Sequence, residues 1–207
     1  MFNVCTNCAH WHAKREIDPA GPYAICPDCG YKQPFTYLPL FVLTGTSGAG
    51  KSTATLALMR QLPDFVLLEG DIFWRDEFNQ PQDGYLVFRN ICLRAAKSIN
   101  QSGRPTVLSG TATPGQYEAC PEFCYFDGVH YLALVCEDEE LERRLRERPS
   151  WRQSSSNQFI SDMLAYNHWF KKQGHPVTLL DTTNLTVTET AESIKKWLSQ
   201  IYHPHHA

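Results

Sequence analysis

The sequence predicts an α/β domain, a parallel sheet of about five strands with helices on both faces, preceded by a small metal-bound module. Three observations predict it. From residue 38 onward, short apolar runs alternate with longer helical patterns. The string Gly45-Thr46-Ser47-Gly48-Ala49-Gly50-Lys51-Ser52 stands between the first apolar run and the first helical one. Two Cys-x-x-Cys pairs lie near the N-terminus.

Composition sets the frame. A chain of 207 residues makes one ordinary domain plus a small module. With 43% hydrophobic and 12% aromatic residues it can bury a real core. A net charge of -3 gives no basic footprint and argues against nucleic acid as a partner. No charged segment followed by an apolar stretch opens the sequence, and no run of 18 apolar residues occurs, so neither a signal peptide nor a membrane span is expected. The eight cysteines fit metal binding better than disulfides in a chain with a nucleotide motif, which makes the cytoplasm the expected compartment.

The N-terminal module comes first. Cys5-x-x-Cys8 and Cys26-x-x-Cys29, separated by residues 9–25, have zinc-ribbon spacing. Four thiolates on two knuckles suit a closed tetrahedral structural Zn²⁺ site. His10 and His12 follow the first knuckle and are expected as bystanders. The charges of residues 1–35 cancel: Lys14, Arg15 and Lys32 stand against Glu16, Asp18 and Asp28. A neutral ribbon is a poor binder of a phosphate backbone. Trp11, Tyr23, Tyr31, Phe35 and Tyr37 are expected to pack the ribbon on its neighbour. Because zinc binding and ribbon folding are coupled, chelation is expected to unfold residues 1–35 and leave the rest folded. Cys92, Cys120, Cys124 and Cys136 lack knuckle spacing and read as buried thiols. The ribbon domain is set at residues 1–37, with Pro34 to Pro39 as the linker, and the larger domain at 38–207.

In the larger domain, strands are expected at Leu38 to Thr44, Phe65 to Glu69, Thr106 to Ser109, Val129 to Cys136 and Val177 to Asp181. Helices are expected at Lys51 to Gln61, Gly84 to Gln101, Glu139 to Arg148, Gln158 to Gln173 and Thr188 to Tyr202. This alternation implies parallel pairing with crossover helices. The tail beginning at His203 is too short to read. Between first strand and first helix, G-x-x-x-x-G-K-S is a phosphate-binding loop: its backbone N–H groups and the helix dipole cradle a triphosphate. Lys51 reaches the β/γ-phosphates and the Ser52 hydroxyl ligates Mg²⁺. With Thr53, the string forms the expected nucleotide-binding segment.

Ligands of such sheets sit beyond the carboxyl ends of the strands. Glu69 and Asp71 lie there after the second strand. Asp71 is expected to accept the proton of an attacking hydroxyl, and Glu69 to bind Mg²⁺ waters or substrate; the competing role for Asp71 is a helix cap. After the fourth strand, Glu137 to Glu140 fit a helical first turn better than a hydrolytic Walker B end. Arg148 and Arg152 flank a Pro/Ser break, the composition of a segment that closes over a triphosphate, so a lid is set at residues 148–157.

These positions resemble the small P-loop kinases: adenylate kinase-like enzymes, shikimate kinase, gluconate kinase and chloramphenicol phosphotransferase. The resemblance runs from Leu38 to about Tyr202 and is carried by the loop, the acidic Gly70-Asp71 after the second strand, Arg144-Leu145-x-x-Arg148-Pro149, and Asp181-Thr182-Thr183. It implies a Mg-ATP-dependent phosphotransferase acting on a small-molecule acceptor. It implies Arg144 against the adenine, Arg148 and Arg152 on the phosphates, and Asp181 to Asn184, Thr183 included, beside the base. It also implies an acceptor-binding insert over residues 72–101, with Arg75 and Arg89 as anion-binding candidates. The third strand, Thr106-Val107-Leu108-Ser109-Gly110, lacks the Asp of nucleotide monophosphate kinases and leans toward the shikimate and gluconate branch. The ribbon is foreign to those enzymes.

Rival readings lack their motifs. A GTPase switch calls for Asn-Lys-x-Asp, which is absent, and an ABC-type ATPase for a signature that Leu108-Ser109-Gly110-Thr111 only begins. An AAA-type motor calls for more chain and a hydrophobic-Asp-Glu strand. A nucleic-acid end kinase would use the ribbon as reader, against which the neutral ribbon speaks. The acceptor itself, the choice of ATP over GTP and the oligomeric state are not written in the sequence.

Overall fold

In the computed structural model, which describes residues 3–174 and 176–203, the N-terminal module carries three short antiparallel strands. They are β1 (Glu16–Asp18), β2 (Tyr23–Ile25) and β3 (Lys32–Pro34). Strands this short bury little by themselves. Their small core, Ala24 and Phe35, is completed by Tyr125 from the larger domain. Phe35 meets Tyr37 and Tyr125 edge-on, with ring centroids 5.3 and 6.2 Å apart. Trp11 and Tyr31 depart from the expected packing and are exposed, Trp11 beneath the Arg94 guanidinium.

Residues 34–39 are no free linker. The Thr36 N–H donates to Gln101 Oε1 at 2.9 Å, and Gln101 Nε2 returns a bond to the Thr36 carbonyl at 3.1 Å. Deeper in, Lys97 and Glu122, both fully buried, pair at 2.5 Å. Asn3 of the ribbon joins them, accepting from Lys97 Nζ at 2.8 Å and donating to Glu122 Oε1 at 3.1 Å. Arg94 closes the network on Glu122 at 2.8 Å. A buried ion pair survives only when its remaining polar atoms are satisfied, and here the ribbon supplies part of that satisfaction. The expected separability of ribbon and core is therefore corrected: the two share a buried polar network.

The main sheet is wholly parallel, in the order β5 (Val66–Glu69), β6 (Thr106–Ser109), β4 (Leu40–Gly45), β7 (Val129–Val135), β8 (Val177–Asp181). β4 lies in the middle and all of its residues are buried. Its side chains alternate between two cores, as strand geometry requires. Leu40 and Val42 pack with Phe88, Cys92, Leu93 and Ala96 of α2 (Leu86–Asn100) and Phe170 of α5 (Asn157–Lys171). Phe41 and Leu43 pack with α1 (Lys51–Leu58) and α6 (Val187–Ile201), through Ala54, Leu58, Ile194 and Trp197. Helices thus cover both faces. α4 (Asp138–Arg146) docks on α5 through Leu141, Leu145 and Ile160. Cys92, Cys120 and Cys136 are buried and Cys124 half-buried.

Several element boundaries moved for a local cause. The first strand starts after Pro39, which has no N–H to give the ladder. α1 stops at Leu58, and Arg60 beyond it is left-handed at φ 70°. α2 begins only after Gly84 and Tyr85, both left-handed at φ 65° and 60°. α4 ends before the Pro149 break, because the residue preceding a proline avoids the helical region. Ser156 caps α5, and a Thr186/Glu189 capping box starts α6. Pattern reading passes over α3 (Pro114–Glu118), one turn held by a Thr113/Gln116 capping box, and the 3₁₀ turns at Gly70–Phe73, Asp76–Phe78 and Pro81–Asp83. Of the C-terminal tail only His203 is among the described residues. No helix among the described residues is long and apolar enough to cross a membrane.

Candidate active site

The loop between β4 and α1 sits at the carboxyl edge of the sheet. Gly45 turns there at φ 130°, and a Cβ on it would come 2.3 Å from the Leu134 carbonyl oxygen, so no other residue fits. Lys51 arches back over the loop, its Nζ donating to the Gly45 and Thr46 carbonyls at 2.8 and 2.9 Å. Burial pushes its amine down to about 8; Arg148 adds to this, while Asp71 and Glu69 oppose it. The Ser52 hydroxyl donates to Glu69 Oε1 at 2.6 Å, which joins the loop to the end of β5. Such a hydroxyl and carboxylate offer two hard oxygen donors, the chemistry that suits Mg²⁺.

A cavity of about 650 Å³ opens over this loop. Residues 47–54 form its floor, with Asp71 and Thr111 at one end and residues 182–187 at the other. Arg144, Arg148 and Arg152 line it from α4 and the segment beyond. Arg152 stacks on Trp151 at 4.5 Å. A wall of cationic side chains over a loop of inward N–H groups is a polyanion site. Gly45 and Thr46 form the loop's buried base and do not line the cavity.

The expected acids divide. Asp71 faces the cavity from a 3₁₀ turn, Gly70–Phe73, that no side chain caps. No α-helix follows Asp71 for it to cap, which leaves the competing helix-cap role without a helix. Glu137 is the residue preceding α4, and the three acids after it fill the first turn. Arg143 and then Arg144 hold the Glu140 carboxyl down at about 2. Glu140 thus holds the arginines of its own helix, while Glu137 pairs with Lys171 and Asp138 with His168 of α5. Asp181 is exposed and outside the cavity lining; it accepts from the Thr183 N–H at 2.9 Å and from its hydroxyl at 2.5 Å.

Thr182, expected only as part of the Asp181 to Asn184 segment beside the base, has a more particular place in the structure. It is buried, and its hydroxyl accepts from Arg144 at 3.1 Å while lying 3.3 Å from the Ala49 carbonyl of the loop. Arg144 also donates to the Thr182 carbonyl at 2.8 Å. One threonine thereby ties the arginine of α4 to the phosphate loop. The motif marks its position, but not its link to Arg144 and Ala49.

Two arginines expected in the insert separate. Arg75 is exposed and lines neither cavity. Arg89 is buried and lines a second cavity of about 280 Å³ that shares Asp71 and Thr111 with the first. Its position on the apolar stripe of α2, with Cys92, Leu93 and Ala96 at helical spacing, is the signal that separates it from Arg75.

In the ribbon, Cys5, Cys8, Cys26 and Cys29 bring their sulfurs within 4.8 Å of one another. The Cys5–Cys29 and Cys8–Cys26 sulfurs are each 3.7 Å apart. A tetrahedral Zn²⁺ with ~2.3 Å bonds has an edge of about 3.8 Å, so the four thiols fit it. The Asn7 amide, and after it the Tyr31 backbone, lower Cys29 to about 6, toward the thiolate that binds metal. His10 and His12 are not idle bystanders: both contact Asp28 Oδ2, at 2.6 and 2.7 Å, which links the two knuckles.

A loop of this kind at the edge of a five-stranded parallel sheet defines a P-loop protein with a kinase-like fold. The chain belongs to the AAA domain family, which matches residues 40–172. The match begins after the ribbon and ends before β8. Among solved structures the chain is similar to a sugar kinase from Janibacter sp. HTCC2649, at 18% identity and a TM-score of 0.60, covering 79% of this chain and 95% of that one. It is similar to a gluconokinase from Sinorhizobium meliloti 1021, at 18% identity and a TM-score of 0.57, covering 82% and 95%. A Deinococcus radiodurans tunicamycin resistance protein follows at 14% identity and a TM-score of 0.56, covering 80% and 95%. At such identities the likeness is one of fold. No curated protein matches the sequence.

Proposed function

We propose that the chain is a phosphotransferase moving the γ-phosphate of Mg-ATP to a hydroxyl or phosphate of a small molecule. One observation carries the reading: Asp71, at the end of β5, faces both cavities. A carboxylate at the junction of a triphosphate site and a second, adjoining site is where an acceptor must be oriented. In a hydrolytic switch the second cavity would have no use.

Residues 1–37 form the ribbon in this reading and residues 38–207 the catalytic domain. Residues 72–101 hold the acceptor and residues 148–157 act as the lid. Gly45 to Thr53 cradle the phosphates. Lys51 places its charge against the β/γ-phosphates. Ser52, with Glu69 behind it, would hold Mg²⁺, which when bound neutralises phosphate charge. Arg148 and Arg152 stabilise negative charge on the transferring group, and Arg144, held by Thr182, lies against the base. Thr183, tied by Asp181, borders it. Asp71 orients the acceptor hydroxyl and takes its proton. Arg89 serves the acceptor side. Cys5, Cys8, Cys26 and Cys29 hold a structural Zn²⁺. The cytoplasm is the expected location.

The test is ADP release from Mg-ATP, measured alone and with a panel of nucleosides, nucleotides and sugar acids. Acceptor-dependent turnover is the expected result. Equal turnover with and without every acceptor would identify an ATPase and end the proposal.

A further inference from the structure

The second cavity carries its own chemistry. Its walls are Trp74, Tyr85 and Phe88. Trp74 meets Tyr85 and Phe88 edge-on, at centroid distances of 6.0 and 5.1 Å. Such a corner receives a flat ring by stacking or edge contact. The polar groups are Asn79, Thr111, Asp71 and Arg89. At about 280 Å³ the cavity lies at or just under the small end of ligand sites, which span ~300–1,000 Å³.

Arg89 is the unexplained group. It is only 7% exposed, yet it makes no ion pair among the described residues. Nη2 donates to the Thr111 carbonyl, the neutral Tyr117 hydroxyl interacts with the guanidinium, and Nε has no hydrogen-bond partner. The guanidinium lies 5.1 to 5.8 Å from the ring centroids of Tyr85, Phe88 and Tyr117. Ring faces attract a cation but do not replace a counter-ion, and a buried charge calls for one. The cavity it lines is where that counter-ion can come from. Asp71 at the mouth would repel an anion there and leave it to the Arg89 end.

We propose that this cavity takes a small ring-bearing anion, with Arg89 as its counter-charge and Trp74, Tyr85 and Phe88 as the walls that hold its ring. The proposal rests on the phosphotransfer reading for one consequence: the anion's hydroxyl is then the acceptor. In that step the hydroxyl oxygen bonds to the γ-phosphorus, the bond from that phosphorus to the β–γ bridging oxygen breaks, ADP leaves with the electron pair, and the hydroxyl proton passes to Asp71. A polyhydroxylated sugar acid has the charge but no flat ring, and a neutral nucleoside has the ring but leaves Arg89 unpaired. The anion can be a carboxylate or a phosphate monoester.

Calorimetric titration of the full chain, with Mg²⁺ and a non-hydrolysable ATP analogue, separates these. The probes are 4-(hydroxymethyl)benzoate against 4-(hydroxymethyl)benzamide, uridine 5′-monophosphate against uridine, and gluconate. At least one ring anion is expected to bind roughly tenfold or more tighter than its neutral partner and than gluconate. A carboxylate winner and a phosphate winner name the two sources. Arg89→Gln is expected to erase the preference and Arg89→Lys to keep part of it, with melting curves confirming that both fold. Neutral partners binding as well as the anions, gluconate binding best, or an unchanged preference in a folded Arg89→Gln each overturn the proposal. ADP release keeps the two ideas apart. Turnover stimulated by gluconate alone upholds phosphotransfer and overturns the ring anion. Ring-anion binding without turnover on any probe upholds the cavity's ligand and overturns phosphotransfer.

Discussion

Replacing Lys97 by Met tests whether the ribbon and the core are one folding unit. Lys97 and Glu122 have no exposed side-chain surface. Breaking a buried pair by removing one partner costs ~3–5 kcal/mol, because the other charge is left uncompensated. Here Glu122 would keep Arg94 at 2.8 Å and the Asn3 amide at 3.1 Å, which places the loss at the lower end, about 3 kcal/mol. Met also forfeits the cation's contact with the Tyr125 ring, 4.3 Å from its centroid, while filling most of the volume. At ~2–4 °C per kcal/mol for a chain of this size, Tm should fall by roughly 6–12 °C. Lys97→Met with Glu122→Gln removes both charges and should melt above Lys97→Met alone. Scanning calorimetry of wild type, the two single variants Lys97→Met and Glu122→Gln, and the double variant measures this. A Tm for Lys97→Met within about 2 °C of wild type, or a double variant no better than the sum of its singles, would refute the reasoning. The same network carries zinc's effect. Asn3 lies two residues from Cys5, so chelation should lower the single melting transition of the whole chain and not melt residues 1–35 separately.

Purified, reduced protein should carry one zinc per chain by elemental analysis, and Cys26→Ser should lose it; metal-free wild type sinks the ribbon assignment. Asp71→Asn should bind ATP normally by calorimetry while transfer falls ~10²-fold or more, with Lys51→Ala as the control for lost phosphate contacts; transfer at the wild-type rate would leave Asp71 without a role in the chemistry. Arg152→Ala should lower kcat by more than it weakens nucleotide binding, since its charge is needed on the transferring group; unchanged turnover would return it to the solvated surface. Lys51 supplies the pH dependence. Its folded-state pKa of about 8 lies below that of a free lysine, and bound phosphates favour its charged form, so triphosphate affinity should be level below about pH 8 and decline as pH rises through it. Calorimetry across that range in Lys51→Ala should lose the decline, and a decline that persists belongs to another group.

What the sequence could announce and what it could not divide along one line. The phosphate loop is contiguous, so its eight residues carry strand end, glycine turn and helix start together, and around it Pro39, Gly84, Tyr85 and Pro149 shift element ends locally. The four ribbon cysteines are two short knuckles and read equally well. Failures begin where a residue's meaning comes from a partner far along the chain. Lys97 is an ordinary helical lysine until Asn3 and Glu122 are brought to it, from 94 and 25 residues away. Thr182 matters because Ala49 lies 133 residues off along the chain and yet within 3.3 Å. Residues 34–39 have a linker's composition and are nonetheless pinned to Gln101. Arg75 and Arg89 show the limit most sharply. A composition count treats them as equals, but only Arg89 falls on the stripe of α2 that faces the core. Helical periodicity therefore already contained the distinction. A cation on an apolar stripe must find a counter-charge or a ligand, and Arg89 has a cavity in front of it where Lys97 has Glu122. The same helix therefore holds one satisfied buried cation, which joins the ribbon to the core, and one waiting for its anion, which is where the acceptor's identity should be sought.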